Sequence, residues 1–273
     1  MRQISSAISL TCAKVYMYFN EVKLASGSAF FYKYNAKTFL ITNRHNVTGR
    51  HQDSGKALSR TGGLPNRLQF HSPLVEVSSS KAILGDRTRV LEIKLDDEIK
   101  LHSEHPTRPV ETDIVAFDCD KLWPARGGHQ FHVNDLREEQ PIHLMPAMNV
   151  SVVGFPYGKE VYSTPIWVNG TIASEPEFDV DGRPTMYIDC RTNRGSSGSP
   201  VFVTSIGNSM PMKEQPRNQM GIAQYTYGNS IPLWAFSVPV HKFIGIYSGR
   251  IDQDSDIGLV WKKEAIEAVC GAG

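Results

Sequence analysis

The sequence predicts an all-β protein built as two barrels and closed by one helix. Three observations lead there. Short segments rich in β-branched and aromatic residues recur along the chain, with turn residues between them. A stretch without sustained period, rich in Pro, Gly, His and charge, separates two groups of such segments. Only the last segment, Lys262 to Cys270, has a helical pattern. The expected boundaries are residues 10–120 for the first barrel, 121–149 for the connection, 150–260 for the second barrel and 261–273 for the helix.

In the first half the expected strands are Lys14 to Phe19, Ala29 to Tyr34, Thr38 to Thr42, Val90 to Lys94 and Asp113 to Phe117. Asn35-Ala36-Lys37 lies between two of them as a hairpin turn. In the second half they are Val150 to Gly154, Ile166 to Ala173, Met186 to Cys190, Pro200 to Val203 and Lys242 to Tyr247. Two stretches, Arg50 to Arg89 and Thr204 to Pro239, read as insertions. The second, with Tyr225, Tyr227, Trp234 and Phe236, either walls a cleft or forms an extra hairpin on the barrel.

At 273 residues the chain is long enough to bury a sizeable core. With 40% hydrophobic and 21% charged residues, it has neither a disordered nor a membrane-spanning composition. No apolar run approaches the ~18 residues needed to cross a bilayer. Twenty-nine basic against twenty-eight acidic residues leave a net charge of +1, which gives no electrostatic case for nucleic acid or membrane as partner. The first twenty residues lack a secretory leader pattern, so a cytoplasmic setting is expected. Cys12, Cys119, Cys190 and Cys270 are widely spaced, without a C-x-x-C pair, and are expected as reduced, buried small hydrophobes.

The chemistry is concentrated in Arg194-Gly195-Ser196-Ser197-Gly198-Ser199-Pro200-Val201-Phe202. A serine flanked by glycines, on a tight loop feeding an apolar strand, suits a nucleophile. Gly195 lets the backbone turn so that its own N–H and that of Ser197 converge as an oxyanion hole, and Gly198 leaves room for a substrate carbonyl. An ordinary Gly/Ser loop is the plainer alternative. A serine nucleophile needs a base, and the base an orienting acid. Upstream, the strand ending Leu40-Ile41-Thr42 runs into a loop carrying His45, and Asp113 heads the apolar strand Ile114-Val115-Ala116-Phe117. The order His, Asp, Ser differs from that of an α/β-hydrolase, which runs Ser, acid, His and alternates strands with helices.

These residues resemble the motifs of the chymotrypsin-like (trypsin-like) serine peptidases, most of all the bacterial branch of HtrA-type and glutamyl endopeptidases. Ser26-Gly27-Ser28-Ala29-Phe30-Phe31 is similar to the small-residue lead into the family's first hairpin. Leu40-Ile41-Thr42-Asn43-Arg44-His45 resembles the catalytic histidine motif, Asp113-Ile114-Val115-Ala116 the aspartate motif, and Gly195-Ser196-Ser197-Gly198-Ser199-Pro200 the nucleophile loop. The resemblance covers roughly residues 10 to 265. It implies two six-stranded antiparallel barrels, with His45 and Asp113 from the first and Ser197 from the second. It also implies a serine endopeptidase acting on peptide or protein substrates, without a cofactor. Arg191 and Thr192 would lie at the base of the primary specificity pocket, and Tyr247, Ser248 and Gly249 on the strand that pairs with substrate backbone. An arginine in the pocket favours cleavage after glutamate or aspartate; otherwise Arg191 turns outward or pairs with Asp189, Asp179 or Asp181.

Two departures matter. Asn46 follows the histidine where secreted trypsins carry a cysteine, and Ser196 precedes the nucleophile where they carry an aspartate. Ser196 cannot pair with a freshly cut N-terminus, so trypsin-style activation is not expected. A binding or sensor module that has kept the fold and lost turnover is the rival reading. The oligomeric state is not legible in the sequence. His102 with His105 and His129 with His132 lack a third ligand, and Asp252, Asp254 and Asp256 lack the spacing of a calcium loop, so no metal is expected.

Overall fold

A computed structural model of the chain describes all residues except 1, 4, 5, 79, 80, 96–99, 125, 126, 128, 129, 136–141, 209–212, 215–224, 227–236 and 253. The first half is one antiparallel sheet. Its strands are β1 (Arg2–Gln3), β2 (Cys12–Phe19), β3 (Val22–Tyr34), β4 (Lys37–Thr42), β5 (Arg67–Ser78), β6 (Lys81–Lys94) and β7 (Val115–Asp118). They lie in the order β1-β6-β5-β2-β3-β4-β7. The turn from β3 to β4 passes through Asn35 and Ala36 at φ 47° and 65°, the left-handed pair that matches the twist of a tight hairpin.

Two expectations for this half need correction. The first barrel was expected to have six strands and to close, yet the sheet has seven strands and no β6–β7 ladder among the described residues. The free edge of β6 is taken by β1, at Leu84 and Ile83. Ser103 occupies the outer edge of the short β7 by exchanging backbone hydrogen bonds with Ala116 at 2.8 and 3.1 Å. The sheet still curls. Leu91 and Ile93 of β6 share one core with Val115 and Phe117 of β7, together with Val15, Phe31, Leu40 and Phe70. Nor is Arg50 to Arg89 an insertion, since it holds β5 and much of β6, both part of the sheet. The polar residues of its first half, up to Asn66, hid the alternation of Leu68 and Phe70 that begins after it.

The second half comprises β8 (Asn149–Gly154), β9 (Ile166–Ile172), β10 (Thr185–Asp189), β11 (Pro200–Asn208), the small pair β12 (Lys213–Glu214) and β13 (Tyr225–Thr226), β14 (Ser237–Arg250) and β15 (Ile257–Lys262). Six of these close into a barrel in the order β10-β15-β14-β11-β8-β9. Its interior holds Val150, Val152, Ile188, Val201, Val203 and Val260. β15, which completes the closure, is a strand the sequence reading did not anticipate. It runs straight into the helix with no turn residue to mark the change. Tyr227, Trp234 and Phe236, offered as cleft-wall residues, lie outside the described residues.

A third core joins the halves, and the period of two explains it. On β3, Ala29 and Phe31 enter the first core, while Phe30 and Tyr32 face Phe202, Phe243 and Trp261 of the second half. β4 divides likewise, with Leu40 on one side and Phe39 and Ile41 on the other. Strands buried on both faces read as the continuous apolar runs seen in the sequence. The terminal helix, found at Lys263–Cys270, sinks Ala265, Ile266, Val269 and Cys270 into this joint core. Tyr32 Oη–H donates to its Glu267 Oε1 at 3.0 Å. This buried seam fixes one half against the other, and the candidate site straddles it.

Candidate active site

His45 lies on α1 (Arg44–Thr48), a five-residue helix that begins directly after β4 and ends at Gly49 in the left-handed conformation, φ 67°. Asp113 precedes β7, the neighbour of β4 in the sheet, so the two residues meet where adjacent strands end. Both carboxylate oxygens hold the histidine. The His45 backbone N–H donates to Oδ1 at 2.9 Å, and His45 Nδ1 lies 2.7 Å from Oδ2. Asn43 Nδ2 donates to the Asp113 carbonyl at 2.7 Å. The Ser248 hydroxyl adds a further hydrogen bond to Oδ2. Asp113 is 1% exposed, and its buried oxygens find their hydrogen-bond partners in these groups rather than in water. With Nδ1–H directed at the carboxylate, Nε2 is the nitrogen left to take a proton.

Ser197 lies on the loop between β10 and β11 in the second half. His45, Asp113, Ser197 and Ser248 line one cleft of about 380 Å³, which extends past Gly249 and Arg250 towards Arg183. The Ser197 hydroxyl donates to the Ser248 carbonyl at 3.0 Å, and no hydrogen bond joins it to His45 among the described residues. Gly195 and Gly198 take φ 95° and 87°, a region open to glycine at little cost. A side chain at Gly198 would overlap the Ser28 carbonyl. The N–H groups of Gly195 and Ser197 donate to no acceptor among the described residues. Ser196 is buried, and its hydroxyl finds no partner among the described residues.

The residues expected to bind substrate fall in three places. Arg191 is exposed and does not line the cleft, so its guanidinium is not at the base of a pocket here. Thr192 and Tyr247 are both buried, and their hydroxyls hydrogen bond to one another. Burial pushes the Tyr247 phenol up to about 12, and its ring packs against Gly258. Its backbone remains tied to the nucleophile loop, accepting from Gly198 N–H and donating to the Ser199 carbonyl at 2.9 Å each. Ser248 and Gly249 line the cleft.

Sequence reasoning assigned Ser248 to substrate and missed its bond to Asp113. No local pattern carries that signal, because the two residues are 135 positions apart. His129 lies outside the described residues. His132 instead bonds Asp135 Oδ2 at 2.8 Å and Thr38 Oγ1 at 3.1 Å, and His102 lies 3.5 Å from Glu104. Asp252 Oδ1 accepts the Asp254 N–H at 3.0 Å, in a turn. No group of three or more His, Cys, Asp or Glu residues capable of holding a metal occurs among the described residues. All four cysteines are buried and unbridged.

No protein-family profile and no curated protein matches the sequence. Solved structures do. The chain is similar in structure to bacterial proteases. An inactive serine-to-alanine form of Rv3671c from M. tuberculosis H37Rv aligns at TM-score 0.49 and 13% identity, over 97% of this chain and 87% of that one. The active form of the Rv3671c protease gives 0.48 and 13%, over 97% and 82%. The serine endoprotease from Yersinia pestis gives 0.47 and 11%, over 96% of this chain and 62% of its own. The barrel, the curled sheet and the site between them rest on the ladders and hydrogen bonds of the chain itself.

Proposed function

We propose that the chain is a serine endopeptidase that hydrolyses peptide bonds through an acyl-enzyme. The observation that carries this reading is the 2.7 Å pair between His45 Nδ1 and a buried Asp113, opening onto a cleft that also holds Ser197. In the reaction the Ser197 hydroxyl leaves the Ser248 carbonyl and donates to His45 Nε2. Ser197 Oγ attacks the scissile carbonyl while His45 takes its proton, then passes that proton to the departing amine. Asp113 keeps the histidine in the required tautomer and balances the imidazolium. The unpaired N–H groups of Gly195 and Ser197 receive the developing oxyanion, each worth on the order of 3 kcal/mol. Water then releases the acyl group by the same steps in reverse.

One observation favours the rival reading of a binding module, namely the Ser197 hydroxyl resting on Ser248 rather than on His45. Labelling with a fluorophosphonate, together with hydrolysis of a peptide library, separates the two. The peptidase reading expects Ser197 to be modified and peptides to be cut. An unlabelled Ser197 and intact peptides would leave only the binding module.

A further inference from the structure

A second, smaller cavity of about 60 Å³ adjoins the cleft in the first half. His45 and Leu58 line both spaces. Its other walls include Met17 of β2, Leu24 and Ala25 of β3, and Gly63 and Pro65 of the loop that follows α1. Among the described residues its lining carries no acid, lysine or arginine. Its polar members have partners within the fold: Asn46 Nδ2 donates to Thr42 Oγ1 at 3.0 Å, and Ser59 Oγ lies 2.9 Å from Thr61 Oγ1. What remains is a small aliphatic pocket at the edge of a polar cleft.

Local structure builds it. The register of β2 against β3 slips after Met17: Met17 faces Ala25 and Tyr18 faces Lys23, which leaves Leu24 opposite no residue. Neighbours on a strand ordinarily point to opposite faces, and this bulge lets Leu24 and Ala25 line one pocket. After α1 the chain doubles back through the bridge between Arg50 and Ala57, and Leu58 N–H donates to the Gly49 carbonyl at 2.8 Å. That return holds Leu58 at the pocket with its side chain half exposed. The Ser197 carbonyl accepts from Asn46 Nδ2 at 3.3 Å and from Ser28 N–H at 2.8 Å, and the Ser28 hydroxyl holds the Gly195 carbonyl at 2.8 Å. These bonds fix the spacing between the pocket and the nucleophile loop.

In the reaction proposed above the departing amine takes its proton from His45, so the residue that carries this amine stands on the histidine side of the bond being cut. Its side chain is the part of a substrate that can reach a pocket walled by His45 and Leu58. We propose that this pocket receives the side chain of the residue following the scissile bond and selects a branched aliphatic one. A volume of about 60 Å³ is several times the ~10–15 Å³ that one water needs, and it falls short of the ~150 Å³ cavity that holds benzene. Leucine or valine therefore fits better than an aromatic ring. A charged side chain would lose water there and gain no partner. The inference rests on the peptidase reading above and adds the class of residue on the leaving side.

The test uses acyl transfer. An acyl-enzyme made from the ester of a peptide that the wild type cuts is offered amino-acid amides in competition with water. The amine nitrogen forms a C–N bond to the acyl carbon as the ester C–O bond to Ser197 breaks, and His45 passes the amine proton to Ser197 Oγ. Leucinamide should trap the acyl group roughly 10- to 100-fold better than glycinamide, argininamide or aspartic acid α-amide. All four amines meet the same acyl-enzyme, so their ratios cancel any general loss of activity. Leu58→Asp and Ala25→Phe change exposed positions, one by adding charge and the other by filling the pocket. Each should cut the ratio of leucinamide to glycinamide at least about fivefold. If the wild type neither labels with a fluorophosphonate nor cuts peptides, the peptidase reading fails and the pocket assignment falls with it. In an active wild type, equal trapping of the four amides, or a preference for a charged one, overturns the pocket and leaves the peptidase reading standing. A leucine preference that survives both substitutions overturns it as well.

Discussion

Ser248 and Asp113 are joined across the cleft: the Ser248 hydroxyl donates to Asp113 Oδ2, the oxygen that also faces His45 Nδ1. A serine of the second half thereby steadies the acid of the first. A hydrogen bond to a charged group is worth about 1.5–3 kcal/mol. Ser248→Ala is therefore expected to lower kcat/KM by roughly 10- to 100-fold on a peptide substrate. Steady-state kinetics check this, and a change under twofold would remove Ser248 from the network.

On the proposed mechanism, His45, Asp113 and Ser197 should behave as one unit. Ser197→Ala or His45→Ala is expected to reduce kcat by on the order of 10⁶, with little further loss in the double variant. Asp113→Asn should cost roughly 10⁴ by presenting the wrong histidine tautomer. Single-turnover and steady-state rates measure all three. Full activity in Ser197→Ala ends the assignment.

Gly198 has no room for a side chain. Its φ of 87° is strained for any other residue, and a Cβ would strike the Ser28 carbonyl. Gly198→Ala should cost about 3 kcal/mol of stability from overpacking and strain together. Urea denaturation tests this, and a cost below about 1 kcal/mol would mean that the loop relaxes at this point.

Arg191 is expected to contribute nothing to cleavage preference, because its side chain is exposed and stands outside the cleft. A library varied before the scissile bond should give the same profile for the wild type and Arg191→Ala, with rates within about twofold. A preference for Glu or Asp that collapses in that variant would return the guanidinium to the pocket.

The thiols should be silent in the native protein. Burial raises Cys12 and Cys270 to about 12 and Cys190 to about 11, so almost no thiolate exists at neutral pH, and all four residues are shielded. An aromatic disulfide reagent is expected to find no thiol in native protein and all four in concentrated guanidinium. Rapid reaction of the native protein would contradict the burial.

Much of the fold is legible locally. Short runs of β-branched and aromatic residues expose β2, β4 and β8, and Asn35-Ala36 forms the turn that a short hairpin demands. His45, Asp113 and Ser197 stand out because a histidine after a strand, an acid before one and a serine between glycines are each visible within a few residues. β5 and β15 escaped for the same reason that the others were found. One sits behind a long polar run and carries polar residues of its own, and the other runs unbroken into a helix, so the end of the strand has no turn residue to mark it.

The sequence by itself determined an all-β chain and its terminal helix, and it singled out His45, Asp113 and Ser197 as candidates for a triad. Those properties depend on residue type and short-range spacing. Only the tertiary structure decided that the first sheet stays open between β6 and β7, that Arg191 faces solvent, and that Ser248 bonds Asp113 while Ser28 holds the nucleophile loop. The two hydrogen bonds turn on side chains that arrive from more than a hundred residues away, and the open edge on which segments reach β6 and β7 first. Competition for an edge or a buried hydrogen bond is settled only once the chain has packed.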